Sequence, residues 1–171
     1  IGVDCELFKP SLESPKKHQI LSVGALDPSK NHDMAIKVTS LLPEDSNFKV
    51  VIVTDRSYGK TADHLKQLAN DLDVQLEIRE KISLEALIQT YQESFVTVYC
   101  PHLEPFGRVS IESQACGTPV LGKNEGGLKE TILSGISGQL LEDDPKDYAE
   151  EILNWLDHPE IYQSRIAGSV E

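Results

Sequence analysis

The sequence predicts an α/β fold built on a doubly wound parallel sheet, and three observations carry that prediction. Short apolar runs alternate with segments of helical periodicity along most of the chain. The middle runs lack in/out alternation: Val50, Val51, Ile52 and Val53 are all apolar, as in strands covered on both faces. The 171 residues, 39% hydrophobic and 26% charged, suffice for one core of ordinary globular composition.

The first stretch, Gly2 to Gln19, carries Pro10, Pro15, Ser11, Ser14 and several charges. It reads as an entry or linker segment (residues 1–18) rather than core, with the domain over residues 19–171. Strands are expected at Ile20–Val23, Val50–Val53, Leu76–Ile78, Phe95–Tyr99 and Val120–Leu121. Between the first two, Met34, Ala35, Val38, Leu41 and Leu42 form one apolar helical stripe, stopped by Pro43. Ala62, Leu65, Leu68, Ala69 and Leu72 form a second stripe. A third comprises Leu84, Leu87, Ile88 and Tyr91, with Ser83 placed as an N-cap. A short helix begins near Gly107 or Arg108 and ends at Gly117, with Pro119 just beyond. Another helical stretch runs from Leu128 through Glu130 to Leu133. Asp144 and Pro145 open a last helix with Tyr148, Ala149, Ile152, Leu153 and Leu156 inward.

Charge and cysteine usage narrow the function classes. A formal net charge of -12 argues against nucleic-acid binding, which needs a basic face to neutralise phosphates. It leaves room for a small anionic ligand held by backbone N–H groups and one or two cations. Cys5, Cys100 and Cys116 are widely spaced and form no zinc-type pair, so they are expected to be buried, reduced thiols of a cytoplasmic protein. No metal site is expected. No apolar run approaches the roughly 18 residues of a membrane span, so membrane association would have to come from elsewhere. The chain opens at Ile1 and its only methionine is Met34, which suggests a piece of something longer.

In such sheets ligands sit beyond the carboxyl ends of the strands, so the loops after each strand are the ones to read. After the first strand only Gly24 stands where a dinucleotide fold needs Gly-x-Gly-x-x-Gly, which disfavours NAD and FAD. Lys30 in this loop reads as a phosphate contact or as a solvated lysine. After the fourth strand, Glu104-Pro105-Phe106-Gly107 makes a turn, and the helix behind it leaves its first N–H groups free for a diphosphate. Glu104 and Glu112 flank that anion site. Taken singly, Glu104 could be a helix-dipole partner and Glu112 half of an Arg108–Glu112 i,i+4 surface pair. Gly126 and Gly127 after the fifth strand permit close backbone approach to a ligand, or simply turn the chain.

Together these pieces resemble the C-terminal domain of GT-B glycosyltransferases, specifically the large retaining family 4. That family carries Glu, seven residues, Glu, with Pro-Phe-Gly or Gly-Phe-Gly after the first; here Glu104-Pro105-Phe106-Gly107 leads to Glu112. Ala115-Cys116-Gly117-Thr118-Pro119-Val120 is similar to its Ala-Cys-Gly-x-Pro-Val, and Gly126-Gly127-Leu128-Lys129-Glu130 to its Gly-Gly-x-x-Glu. Gly135 to Leu141 looks like its Gly-x-x-Gly-x-Leu, and Gly2-Val3-Asp4 through Phe8 and Pro10 like its entry from the interdomain linker.

The resemblance implies a Rossmann-like domain forming the C-terminal half of a two-domain GT-B architecture. It implies transfer of a sugar from a nucleoside-diphosphate sugar, such as a UDP-, GDP- or ADP-sugar, to an acceptor hydroxyl with retention. No cofactor or metal is implied. The protein's own N-terminal domain would supply the other wall of the cleft, so the chain alone is expected to be inactive. Glu104 would lie against the donor sugar near the anomeric carbon, as the catalytic residue. Glu112 would accept from the ribose hydroxyls, with little role in folding. Amides around Phe106, Gly107, Arg108 and Val109, with Gly24, Lys30, Gly126 and Gly127 nearby, would hold the diphosphate. The loop through Arg79, Lys81 and Ile82 would meet the base, mostly by backbone and apolar contact. One departure stands out: the family usually has Arg directly after the first-strand Gly, and here that residue is Ala25. Arg108 and Lys123 are both candidates to replace it. Ala25 also leaves open a non-catalytic GT-B-like module that binds a nucleotide or a partner, and a GT-B epimerase is a third, less fitting alternative.

Overall fold

The computed structural model describes residues 2–11 and 13–170; Ile1, Leu12 and Glu171, at the ends of the expected segments and within the entry, lie outside the described residues. The strands are β1 (Lys17–Val23), β2 (Lys49–Thr54), β3 (Leu76–Glu80), β4 (Ser94–Tyr99), β5 (Val120–Lys123) and β6 (Gly138–Leu141). The helices are α1 (Asp33–Thr39), α2 (Thr61–Asp71), α3 (Leu84–Glu93), α4 (Arg108–Ala115), α5 (Leu128–Thr131), α6 (Pro145–Asp157) and α7 (Pro159–Ser169). The strands make one parallel sheet in the order β3-β2-β1-β4-β5-β6. Strand order reverses between β1 and β4, and such a reversal opens a crevice at the carboxyl edge.

Period-two side-chain direction divides the apolar runs between two cores. Ile20, Val50, Ile52, Val96 and Val98 face one side, under α1, α2 and α6. Leu21, Val23, Val51 and Val53 face the other, with Tyr91 of α3 and Cys116. That is why the middle runs show no alternation: both faces of β2 and β4 are dry. The caps follow local chemistry. Ser83 accepts the Ala86 N–H to start α3, and Asp144 accepts the Lys146 N–H to start α6, with Pro145 in its first turn.

Several expectations need correction. Cys5 is exposed, although Cys100 and Cys116 are buried as expected, and all three are free. Leu41, Leu72 and Leu84 were assigned to inward stripes but are exposed. α1 stops at Thr39, Leu72 is the C-cap of α2, and Leu84 is the first residue of α3, so each falls where its stripe no longer faces the sheet. α5 ends at Thr131 rather than Leu133, because Ile132 turns extended. β1 begins at Lys17, and Phe8 of the entry segment is buried edge-on to Tyr91, so that segment helps close the second core. β6 and α7 had no counterpart among the expected elements. α7 is tied to the amino-edge side of the sheet by the Tyr162 hydroxyl, which donates to the Phe95 carbonyl (2.7 Å), and by Ser169, which donates to Ser137 O (3.2 Å).

Candidate functional site

The site assembles where the loops after β1, β4 and β5 meet. After β1, Asp27 accepts the Ser29 N–H and starts a one-turn 3-10 helix, Pro28–Lys30, that Asn31 ends in the left-handed region. His32 holds this loop from beneath. Burial keeps its imidazole below the ordinary value, so it stays neutral; Nε2 donates to Ala25 O (3.0 Å) and Nδ1 accepts from Ser22 Oγ (2.8 Å). The Lys30 stem then runs past Gly24, where a Cβ would lie 3.4 Å from Lys30 Cγ. Its ammonium reaches the loop after β4.

There Lys30 Nζ donates to Glu104 Oε2 (3.0 Å). The same oxygen accepts from Tyr99 Oη (3.1 Å), at the end of β4, and Oε1 accepts from the Gly107 N–H (3.3 Å). Burial alone would raise the Glu104 pKa, but these three donors outweigh it and hold the group below its ordinary value. Glu104 is therefore a carboxylate at neutral pH, fixed at the mouth of the crevice.

The turn behind it is clamped by the paired glycines. Gly127 N–H donates to Glu104 O (2.9 Å), and a Cβ on Gly127 would meet Pro105 O at 2.4 Å and Phe106 Cα at 2.6 Å. A Cβ on Gly126, at φ +55, would meet Glu104 O at 2.5 Å. The close approach expected of a ligand is thus made by the protein's own backbone. Two more bonds tie the segment down: His102 N–H to Ser29 O (2.8 Å) and Leu103 N–H to Glu125 Oε1 (2.7 Å).

Gly107, at φ +87, turns the chain into α4 without a side-chain cap. The Arg108 and Val109 N–H groups have no acceptor among the described residues, and they point out of the first turn at the carboxyl edge. One turn on, Glu112 is 7% exposed, deeper than expected of a ligand-edge carboxylate with little role in folding. Its Oε2 accepts from Tyr91 Oη (3.2 Å) and its Oε1 from Arg108 Nε (3.0 Å). Burial first, and then the Glu112 charge, raise the Tyr91 phenol well above its ordinary value, so it remains a donor. The i,i+4 pair weighed from sequence does form, but it joins an exposed Arg108 to a buried Glu112.

Beyond β1, β2 and β3 lies an apolar cavity of about 360 Å³, lined by Val23, Val53, Lys81, Ile82 and Leu87 with Gly24 at its edge. Lys81 sits there in the left-handed region (φ +51) and donates its N–H to Thr54 O. The Arg79 side chain is committed elsewhere, its guanidinium bonding Glu77 (2.7 Å) and Thr90 (2.9 Å). Lys123, at the end of β5, is held by Glu125 (2.8 Å) and Asp143 (3.1 Å). A larger cavity of about 540 Å³ lies against α1 and α2 and borders the loop after β1 from that side, lined by Asp27, Pro28, His32, Asp33, His64 and Leu65 among others. Neither cavity is lined by Glu104 or Glu112; the smaller one meets the loop after β1 at Gly24, on the side of the sheet that carries α3. Among the described residues no group of three or more His, Cys, Asp or Glu side chains could hold a metal ion. No described helix is long and apolar enough to cross a membrane.

Tyr99 and Tyr91 orient the two carboxylates, and sequence reading passed over both. Tyr99 was counted with a buried strand and Tyr91 with a helix stripe. The signal was the hydroxyl each brings to an otherwise dry position, since a buried phenol needs an acceptor.

Comparison with known proteins gives a consistent answer. Residues 4–168 match the family described as Glycosyl transferases group 1. The chain is similar to the D-inositol 3-phosphate glycosyltransferase of Thermobispora bispora, at 30% identity, covering 99% of this chain and 44% of that protein. It is similar to D-inositol 3-phosphate glycosyltransferase 2 of Catenulispora acidiphila at 33% identity, over 92% of this chain and 42% of that one. It therefore spans less than half the length of these relatives. Among solved structures it is similar to Anabaena HepE in complex with UDP and glucose, with a TM-score of 0.87 at 19% identity over 99% of this chain and 49% of that one. It is also similar to the C-terminal domain of a glycosyl transferase group 1 family protein from Francisella tularensis, with a TM-score of 0.83 at 19% identity over 99% and 95% of the two chains. At these identities the likeness carries the fold: a Rossmann-like α/β domain corresponding to part of GT-B glycosyltransferases.

Proposed function

We propose, from the premise that the chain belongs to the glycosyl transferases group 1, that it holds the nucleoside-diphosphate sugar in a retaining, metal-independent sugar transfer. The observation that carries this reading is the cluster of Lys30, Glu104, Tyr99 and Gly107 N–H beside the open first turn of α4. Lys30 and the free N–H groups of Arg108 and Val109 form a compact positive site, suited to a diphosphate and to the charge that gathers on it as the glycosidic bond breaks. Glu104 is the carboxylate beside the sugar. Glu112, one helical turn away, offers paired acceptor oxygens to the ribose hydroxyls. The apolar cavity beside Ile82 takes the base, with Lys81 contributing backbone. Retention and freedom from metal rest on the family resemblance, and Anabaena HepE, solved with UDP and glucose, supports the donor class.

In this reading a partner domain in the longer protein supplies the acceptor and the second wall of the cleft, in line with the greater length of the relatives. Titration of the chain with UDP, GDP and ADP, followed by NMR or calorimetry, tests the donor site. A half-cleft should bind the right nucleotide with a Kd of order 1 mM. Silence from all three up to about 10 mM, roughly ten times that Kd, sinks the proposal.

Ala25 favours a second reading, a non-catalytic nucleotide-binding module, because the usual Arg is missing and Ala25 contributes only its carbonyl, to His32 and to the Asp27 N–H. An assay of nucleoside diphosphate release by the longer parent protein separates the two. Turnover excludes the second reading, and tight nucleotide binding without turnover supports it.

A further inference from the structure

The donor site described above has one anchored cation, Lys30, and two further cations near it. Lys123 is 16% exposed and fixed between Glu125 and Asp143, with His102 Nδ1 at 3.4 Å; moving it would leave two carboxylates without their partner. Arg108 is 71% exposed, begins α4, and has Glu112 as its one hydrogen-bond partner among the described residues. Only its Nε is engaged, so the rest of the guanidinium fork is available. Its backbone N–H is one of the two free donors of the same turn. A phosphate received by those amides therefore comes within reach of the Arg108 side chain.

Resting on the donor-site reading, we infer that Arg108 is the second phosphate-binding cation, and that its pairing with Glu112 makes the pocket select phosphate-bearing nucleotides over nucleosides. In the free protein Arg108 donates to Glu112 Oε1 and Tyr91 to Oε2, so each oxygen that would receive a ribose diol already holds one donor, and the guanidinium stands at Oε1. A ribose can displace Arg108, but on its own it gives the guanidinium no anion in return for Glu112. A diphosphate arriving with the ribose supplies that anion. The guanidinium swings from carboxylate to phosphate and keeps an anionic partner, while Glu112, still bonded by Tyr91, exchanges its cation for the sugar hydroxyls. Ribose and phosphate recognition are thereby coupled through one side chain. The arrangement also accounts for a missing Arg at Ala25, since the second charge enters from α4 instead of from the loop after β1.

The test uses the 171-residue chain and its Arg108→Gln and Arg108→Lys variants, with thermal unfolding as a control that the exposed substitutions leave the fold intact. Each is titrated by NMR with UDP, GDP and ADP and with uridine, guanosine and adenosine. For the base that binds best, Arg108→Gln should weaken the diphosphate about tenfold, the scale of one charge-assisted contact. Nucleoside affinity should stay level or rise, so that the preference for the diphosphate falls at least tenfold, and Arg108→Lys should recover part of the loss. Diphosphate affinity unchanged within twofold in Arg108→Gln, or diphosphate and nucleoside weakened alike, overturns the inference while the donor-site reading stands. Absence of any diphosphate binding by the unmodified chain overturns both.

Discussion

Gly127→Ala sets two effects of opposite sign against each other, and the structure says which is larger. Gly127 has φ -69 and ψ -11, a conformation alanine adopts freely. Restricting the unfolded chain would then stabilise the protein by about 0.4–1 kcal/mol. The added Cβ, however, would stand 2.4 Å from Pro105 O, 2.6 Å from Phe106 Cα and 2.7 Å from Phe106 N, all of them backbone or proline atoms that cannot rotate away. The turn must retreat by about 1 Å, and overpacking of that kind costs about 1–3 kcal/mol. The clash wins, leaving a net loss of about 1–2 kcal/mol and a melting temperature lower by about 2–8 °C for a domain of this size. The same retreat carries Glu104 away from Lys30 (3.0 Å) and Gly107 N–H (3.3 Å), beyond useful hydrogen-bond range. Nucleotide affinity should fall about tenfold. Urea unfolding followed through the single buried Trp155 reads the stability, and NMR titration reads the binding. A higher urea midpoint with unchanged affinity would refute the argument, since it would mean that the turn yields without resistance.

Glu112→Ala should lower both nucleotide affinity and stability, the latter by about 1–3 kcal/mol, because it strands the Tyr91 hydroxyl in a dry site; urea midpoints and titrations measure the two losses separately. Burial pushes the Lys16 ammonium down to about 7, against the smaller opposing effect of the neighbouring Cys116. The unfolded chain then binds more protons than the folded one from about pH 7 upward, so this lysine's contribution to stability rises with pH from there toward its ordinary value. Burial pushes the Cys100 and Cys116 thiols up to about 12, which works in the opposite direction above about pH 9. Lys16→Met should therefore be most stabilising, relative to the unmodified chain, near pH 6, and that advantage should shrink between pH 7 and 8.5; a gap independent of pH would contradict it. The chain alone should release nucleoside diphosphate from no donor in an acceptor-dependent way, since acceptor positioning contributes several kcal/mol and water exclusion needs a second wall. An acceptor-dependent signal from the 171 residues would refute that.

The main architecture was legible because both of its periodicities are strong. Val50 to Val53 announced a strand dry on both faces, and Ser83 and Asp144 marked helix starts by cap chemistry alone. β6 escaped because Gly138-Gln139-Leu140-Leu141 has half-buried side chains and little apolar pattern, its place being fixed by pairing with β5. α7 escaped because its inward residues are few, and long-range bonds such as Tyr162 to Phe95 set its position. At the site, Lys30 and Glu104 were found as separate candidates, but their contact spans 74 residues of sequence and no local pattern encodes it. Glu112 was misjudged for the same reason: its depth comes from Tyr91, 21 residues upstream.

The bonds from His102 to Ser29, from Leu103 to Glu125 and from Gly127 to Glu104 join three loops that share no secondary structure. Amides in surface loops ordinarily exchange with solvent through small local openings. Here the His102 and Gly127 amides are held by backbone carbonyls of a neighbouring loop, so exposing either requires two loops to part, whereas the Leu103 amide is held by the Glu125 side chain. The rim of the crevice is thus expected to open together with the ends of β1, β4 and β5, and the His102 and Gly127 amides to exchange more slowly than those of an unpinned loop. A molecule entering the crevice meets a wall already assembled, and a change in any of the three loops is felt by the other two.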